Sequence, residues 1–313
     1  MEEKTSDSAS VNKSKSSNHL VLKLALGLSA FLVIGYLGVS AYAGHTLSMP
    51  KRVFDPSKAS TFIVPPQEIE FRTSDDLQIR GWFIPAKRID KVLILVHGLN
   101  SSRTLELAGK FPEFGSALNQ RGFSILMIDL RGHGQSASSR FTFGITERRD
   151  VIAAVEWLKT KGFKPQKIGV LGVSMGSAAV IGAAADDSDI GAVVTDSGYA
   201  EVYPVIQKHW RSASGLPEIF LPSTMLFGHL LTGHDPIASK PVQEISRIAP
   251  RPVLIIHSAI DPYTPVDNAR QLKAAYPLAE YWETQAKTHP ESYNTNPKIY
   301  VDKVADFYNR SLK

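Results

Sequence analysis

The chain has 313 residues, 43% hydrophobic and 21% charged, with a formal net charge of +5, a balance that excludes a collagen-like or wholly disordered protein. Its Lys and Arg are dispersed rather than gathered with aromatics on one element, so nucleic acid is not an expected partner. With no cysteine, disulfides, thiolate catalysis and cysteine-ligated metals are excluded, while any redox compartment stays open.

Residues 1–19 are rich in Ser, Lys, Asp and Glu and are expected to be a disordered polar tail, having too few apolar side chains to offset the entropy of ordering. Residues 20–43 are apolar apart from Lys23 and small or hydroxyl-bearing positions. About 20 residues suffice to cross a ~30 Å hydrocarbon layer, so this run is expected to be a single transmembrane anchor. Ala41-Tyr42-Ala43 before Gly44 also fits a signal-peptidase site, which makes a cleaved export signal the alternative. Lys13, Lys15 and Lys23 nearly balance Lys51, Arg52 and Lys58 across the run. The expectation is an extracytoplasmic folded domain.

A linker over 44–64 leads into a domain over 65–313. Glu68 to Arg72 and Leu77 to Ile84 alternate around Ser74-Asp75-Asp76 and predict a hairpin. Beyond them come short apolar runs at 92–96, 124–128, 168–171, 192–195 and 253–256, separated by helical stretches such as 147–159. That pattern predicts a mostly parallel sheet with helices on both faces, an α/β class. Between about 199 and 248 the rhythm lapses into Pro-punctuated aromatic and aliphatic residues, read as a short helical cap.

Gly172-Val173-Ser174-Met175-Gly176 follows the apolar run at 168–171 and precedes a small-residue helix. A nucleophile on a tight strand-to-helix turn needs neighbours without bulk, and the helix N-terminus offers free N–H groups to a developing oxyanion. A serine needs a base, and in this arrangement acid and then histidine follow it in chain order. Asp261 ends the run at 253–256, with Asp267 its rival, and His289 is the one histidine beyond Asp261. Oxyanion donors are expected from the backbone N–H groups of Met175 and Leu99, the latter after His97-Gly98. His97 and the Asp129-Leu130-Arg131-Gly132-His133-Gly134 turn are read as loop-fixing. No histidine and carboxylate cluster has zinc-ligand spacing, so no metal is expected. The chemistry needs no cofactor.

On the His97-Gly98 loop, the Asp129 to Ser136 turn, the elbow at Ser174, Asp261 and His289, the chain resembles the α/β-hydrolase superfamily over nearly all of 65–313. Within it, the sequence is similar to bacterial membrane-anchored hydrolases of the serine aminopeptidase-like or dienelactone hydrolase-like group. Ser258 and Thr288 stand where glycine is common in that superfamily. The resemblance implies a serine hydrolase of carboxylic ester-type acyl bonds with a small-molecule acyl substrate; the apolar run at 20–43 adds the membrane as a partner, and protein partners stay open. The same residues suit a peptidase or thioesterase, and a catalytically silent, membrane-tethered binding module is the reading from another class.

Overall fold

A hairpin opens the sheet: β1 (Gln67–Arg72) and β2 (Gln78–Ile84) pair antiparallel. β1 keeps Glu68 and Glu70 on the sheet's edge, where charge discourages further strand pairing. Five strands follow that are buried along their whole length: β3 (Val92–Val96), β4 (Ser124–Ile128), β5 (Ile168–Val173), β6 (Ile190–Asp196) and β7 (Val253–Ser258). Successive side chains point to opposite faces, so a run apolar at every position suits a strand covered on both sides. With β8 (Glu280–Thr284) they form an eight-stranded sheet of order β1-β2-β4-β3-β5-β6-β7-β8. β2 joins β4 antiparallel, and every pairing from β4 to β8 is parallel. The computed structural model describes residues 7–87 and 90–312, the side chains of 7–18 excepted.

The long helices are α1 (Asp7–Leu47), α2 (Phe111–Gln120), α3 (Arg148–Thr160), α4 (Met175–Asp186), α5 (Val202–Ser214), α6 (Leu221–Thr232), α7 (Asp267–Ala275) and α8 (Pro297–Ser311). Val151, Ala154, Val155 and Leu158 of α3 recur at helical spacing and pack with α4 and α7 on one sheet face. Phe111, Phe114 and Leu118 of α2 meet Tyr300, Val304 and Tyr308 of α8 on the other. Each fully buried Val, Leu or Ile contributes about 1.5–3 kcal/mol, so these two layers hold the sheet rigid beneath its loops. Between β6 and β7, α5 and α6 end at Gly215 and Gly233, whose left-handed backbone (φ 70° and 74°) glycine adopts without strain.

At the N-terminus the structure corrects two boundaries. The polar tail expected to be disordered over 1–19 is helical from Asp7, residues 1–6 lying outside the described residues. Once the apolar helix exists, extending it needs no new nucleus. The linker expected from residue 44 starts later, since α1 continues to Leu47. Gly44 does not stop the helix because its lack of a side chain is used in packing: a Cβ there would stand 2.9 Å from Phe227 Cβ and 3.1 Å from the Thr224 carbonyl of α6. The following segment holds a 3₁₀ turn at Pro56–Thr61, capped by Asp55. It is fastened to the domain by Lys51 N–H to Asn100 Oδ1 (2.8 Å), Arg52 to the Ser136 carbonyl (2.6 Å) and Asp55 N–H to Thr104 Oγ1 (3.0 Å). From His19 to Leu47, α1 is long and apolar enough to cross a membrane.

Candidate active site

β5 ends at Val173 and α4 begins at Met175, leaving Ser174 alone on the turn at φ 53° and ψ −118°. Such angles strain any residue with a side chain. The surrounding glycines make the bend possible. A Cβ on Gly172 would lie 2.2 Å from the Gly176 carbonyl, and one on Gly176 would lie 2.6 Å from that of His97. The Ser174 N–H donates to Asp196 O (2.8 Å), pinning the turn to β6.

Two loops converge on the serine hydroxyl. His289, after β8, sets Nε2 2.8 Å from Ser174 Oγ and Nδ1 2.7 Å from Asp261 Oδ2. Asp261, after β7, accepts the N–H groups of Tyr263 (2.8 Å) and Thr264 (2.9 Å) on Oδ1, which leaves Oδ2 to the imidazole. Burial pushes the Asp261 carboxyl up; the His289 hydrogen bond and charge, with those two N–H groups, more than reverse this, so it lies below the usual carboxylate range. Asp267 instead sits exposed on α7, 3.1 Å from Arg270. Two further residues hold the loops. His257 Nε2 donates to the Thr264 carbonyl (2.7 Å), and Ser258 Oγ donates to the Ala286 carbonyl (2.5 Å), tying the Asp261 loop to the His289 loop. The serine that replaces a common glycine is thus a cross-link.

The loop after β3 passes directly over the elbow, where a Cβ on Gly98 would stand 3.0 Å from that of Ser174. Gly98 N–H donates to Glu106 Oε2 (2.6 Å) and Asn100 N–H to His133 Nε2 (3.2 Å). Between them, the Leu99 N–H, like that of Met175, has no protein acceptor among the described residues. Both residues face the same cavity as Ser174. His97 is wholly buried, with Nδ1 on the Gly98 carbonyl (2.7 Å) and Nε2 accepting the Leu130 N–H (3.0 Å). Burial, then the neighbouring His133, hold it well below the usual histidine range, so it fixes the loop as a neutral ring. Asp129 binds the buried Arg103, and Arg131 spans Asp150 and Asp75 (both 2.7 Å), fixing the turn after β4.

Over the serine lies a cavity of about 730 Å³. Phe143 and Tyr199 line its floor, Val205 and Trp210 of α5 one wall, and Met225 of α6 another. Gly44, Thr46 and Leu47 at the end of α1, with Ser48 and Met49 just beyond it, complete it. No carboxylate lines it among the described residues, nor do three His, Asp or Glu side chains gather anywhere among them into a group that could hold a metal ion. The cap also reaches His289: His209 of α5 stacks on Tyr263, and Tyr263 lies 5.1 Å from the His289 ring. The reading of the sequence missed Glu106, Tyr263 and His209, none of which belongs to a recognisable motif.

A mostly parallel sheet with a strained serine at the end of its central strand, and acid and histidine loops after the last two, defines an α/β hydrolase, and the chain belongs to that superfamily. The family model described as serine aminopeptidase, S33, matches residues 87–233. The uncharacterised protein YqkD of Bacillus subtilis is 28% identical over 262 residues, covering 81% of this chain and 80% of that one. The solved esterase Pf2001 of Pyrococcus furiosus is 27% identical with a TM-score of 0.69, over 84% of this chain and 98% of that one. A puromycin-hydrolyzing peptidase of Mycobacterium tuberculosis, 17% identical with a TM-score of 0.63 over 80% of this chain and 40% of that one, shares the fold. The chain is therefore an α/β hydrolase of the esterase and peptidase type.

Proposed function

We propose that this protein is a membrane-anchored serine hydrolase of carboxylic ester-type acyl bonds, with Ser174 as nucleophile, His289 as base and Asp261 as its orienting acid. The observation that carries the reading is the unbroken chain from Ser174 Oγ to His289 (2.8 Å) to Asp261 (2.7 Å). Ser174 Oγ bonds to the carbonyl carbon while its proton passes to His289 Nε2. The Leu99 and Met175 N–H groups receive the oxyanion. Collapse breaks the bond to the alkoxy oxygen, which leaves with the proton from His289. Water, deprotonated by the same imidazole, then releases the acid and restores Ser174.

Esters are favoured over aminoacyl peptides by the lining of the cavity. A free α-ammonium group brought into a largely apolar pocket needs a carboxylate to offset its desolvation, and none of the described lining residues supplies one. Retention of α1 is supported by Ala43 and Gly44. These stand on either side of the cleavage point in the signal-peptidase pattern, yet lie buried within a helix packed on α6. The test is labelling by a fluorophosphonate probe with turnover of p-nitrophenyl esters. Wild type should label and turn over, and Ser174→Ala should do neither; equal labelling of the two would reject the assignment.

A further inference from the structure

We infer that α6 is seated in the bilayer surface beside the anchor, and that the substrate is a long-chain acyl ester dissolved in the membrane, taken up through the seam between α1 and α6. This rests on the esterase reading of Ser174 and gives it a substrate class.

The anchor and the cap are one packed unit. The Tyr36 hydroxyl donates to the Ile219 carbonyl (2.7 Å), the Tyr36 ring stacks on Phe220 (4.9 Å), and Ser40 Oγ meets Ser223 Oγ (2.7 Å). Gly44 then packs on Thr224, Phe227 and Gly228. Residue numbers rise together along this seam, so α6 runs parallel to α1 and its first turn lies toward the membrane-spanning part. About 20 residues cross the hydrocarbon. Counted from Leu20, or from Leu24 just past Lys23, α1 leaves it between Val39 and Ala43. Ile219 and Phe220, level with Tyr36, therefore fall just inside the lipid boundary.

The outer side of this segment is suited to that depth. Ile219, Leu226 and Leu230, spaced seven and four apart, form one stripe and are 70%, 55% and 66% exposed. From Leu221 to Thr232 there is no Asp, Glu, Lys or Arg. Glu218 is paired with Arg211 (3.5 Å), and both side chains are long enough to reach the head groups. Below the seam α1 is itself apolar and exposed, with Phe31 and Ile34 at 73% and 70%, so the lipid that surrounds α1 at that depth also meets the stripe. The inner side of the same seam opens on the active site. Gly44 and Thr46 of α1, with Thr224, Met225 and Gly228 of α6, line the cavity that holds Ser174. One pair of helices thus separates lipid from nucleophile.

The test uses the full chain reconstituted in phosphatidylcholine vesicles. 4-Methylumbelliferyl oleate, which partitions into the bilayer, is compared with the soluble butyrate of the same leaving group. Ile219→Glu with Leu226→Glu, both outside the cavity lining, should lower the oleate to butyrate ratio of kcat/KM at least tenfold, with butyrate turnover within twofold of wild type. Because the chain is free of cysteine, Ile219→Cys and, as control, Lys298→Cys on α8 can each carry an environment-sensitive fluorophore. Lipids doxyl-labelled high on the acyl chain should quench the probe at 219 several-fold more than that at 298. An unchanged ratio, an equal loss on both esters, or equal quenching at the two positions would overturn the membrane seat and lateral entry. Failure of wild type on both esters with normal quenching at 219 would overturn the esterase reading and its substrate class, leaving the membrane seat standing.

Discussion

The His209 imidazole lies flat on the Tyr263 ring, 4.1 Å between centroids and 11° apart, which couples the cap to the loop that carries Asp261. Tyr263 also contributes an N–H to Asp261 and leans on His289. An aromatic pair of this kind contributes about 0.5–1.5 kcal/mol beyond its buried area. Tyr263→Ala should therefore reduce kcat by about 2- to 10-fold with little change in thermal stability. Tyr263→Phe should restore it, because the ring and backbone rather than the hydroxyl make these contacts. Steady-state kinetics of the two variants on one short ester would decide; equal loss in both would assign the effect to the hydroxyl.

Asp261→Asn should lower kcat by about 10⁴-fold, the scale seen when a triad imidazole loses its carboxylate partner. Asp267→Asn should stay within twofold of wild type, since that carboxylate meets only Arg270 on the surface. Surface pairs of this type contribute about 0–1 kcal/mol. Parallel assays of both variants test the choice between two acids that the sequence leaves six residues apart.

The sheet was legible because burial on both faces leaves a simple trace: 92–96 and 124–128 are apolar runs in the sequence and β3 and β4 in the fold. The strained turn at Ser174 was legible for a similar reason, since only small neighbours permit it. Chain order then led to Asp261 and His289, which the fold brings together. Glu106 could not be read this way. It reaches Gly98 through the turn Glu106–Gly109, in which Leu107 and Ala108 take φ of 55° and 57°, and both residue types favour right-handed backbone. Nothing local in the sequence signals that reversal. His209 and Tyr263 are 54 residues apart, so their contact depends on the path of the whole cap. The end of α1 at Leu47 is not marked locally either, since Gly44 continues the helix only because its lack of a side chain is used in packing on α6.

The elbow should tolerate no added carbon. In Gly176→Ala the new Cβ would sit 2.6 Å and 2.7 Å from the backbone carbonyls of His97 and Val96, and neither can retreat without moving β3. Overpacking in a rigid site costs about 1–3 kcal/mol or more. At about 2–4 °C per kcal/mol for a domain of this size, the melting temperature should fall by about 2–12 °C, and activity should fall with it. A melt unchanged by the substitution would mean that the loop after β3 is looser than its contacts imply.

Acid should weaken the loops over the active site. Burial, the largest cause in each case, holds His97 and His133 below the usual histidine pKa of 6.5. Between their folded and unfolded values the native state binds fewer protons, so stability is fully present above about pH 6.5 and declines as pH falls below it. Each ring contributes up to about 1.4 kcal/mol per pH unit in that window. Buried Glu106 and Asp129 are shifted up and act in the opposite sense. The informative measurement is therefore a difference in slope. Melting temperatures at pH 7.5, 6.5 and 5.5 should fall less steeply for His133→Gln than for wild type.

Arg140 should govern how firmly the end of α1 is seated. Its guanidinium donates to the His45 carbonyl (2.8 Å) and meets the His45 ring (2.9 Å) and Ser48 Oγ, at the last turn of α1. A cation there satisfies a carbonyl without a helical partner and complements the helix dipole, together contributing about 1–2 kcal/mol. Since Thr46 to Met49 form part of the cavity wall, Arg140→Ala should loosen that wall without touching Ser174, His289 or Asp261. KM for a long-chain ester should rise about 3- to 10-fold with kcat nearly constant. Limited proteolysis between Met49 and Phe54 should also quicken. Arg140→Lys keeps the charge but loses the fork that spans ring, carbonyl and hydroxyl, so it should recover part of the effect. Full recovery by lysine would reduce the role of Arg140 to its charge.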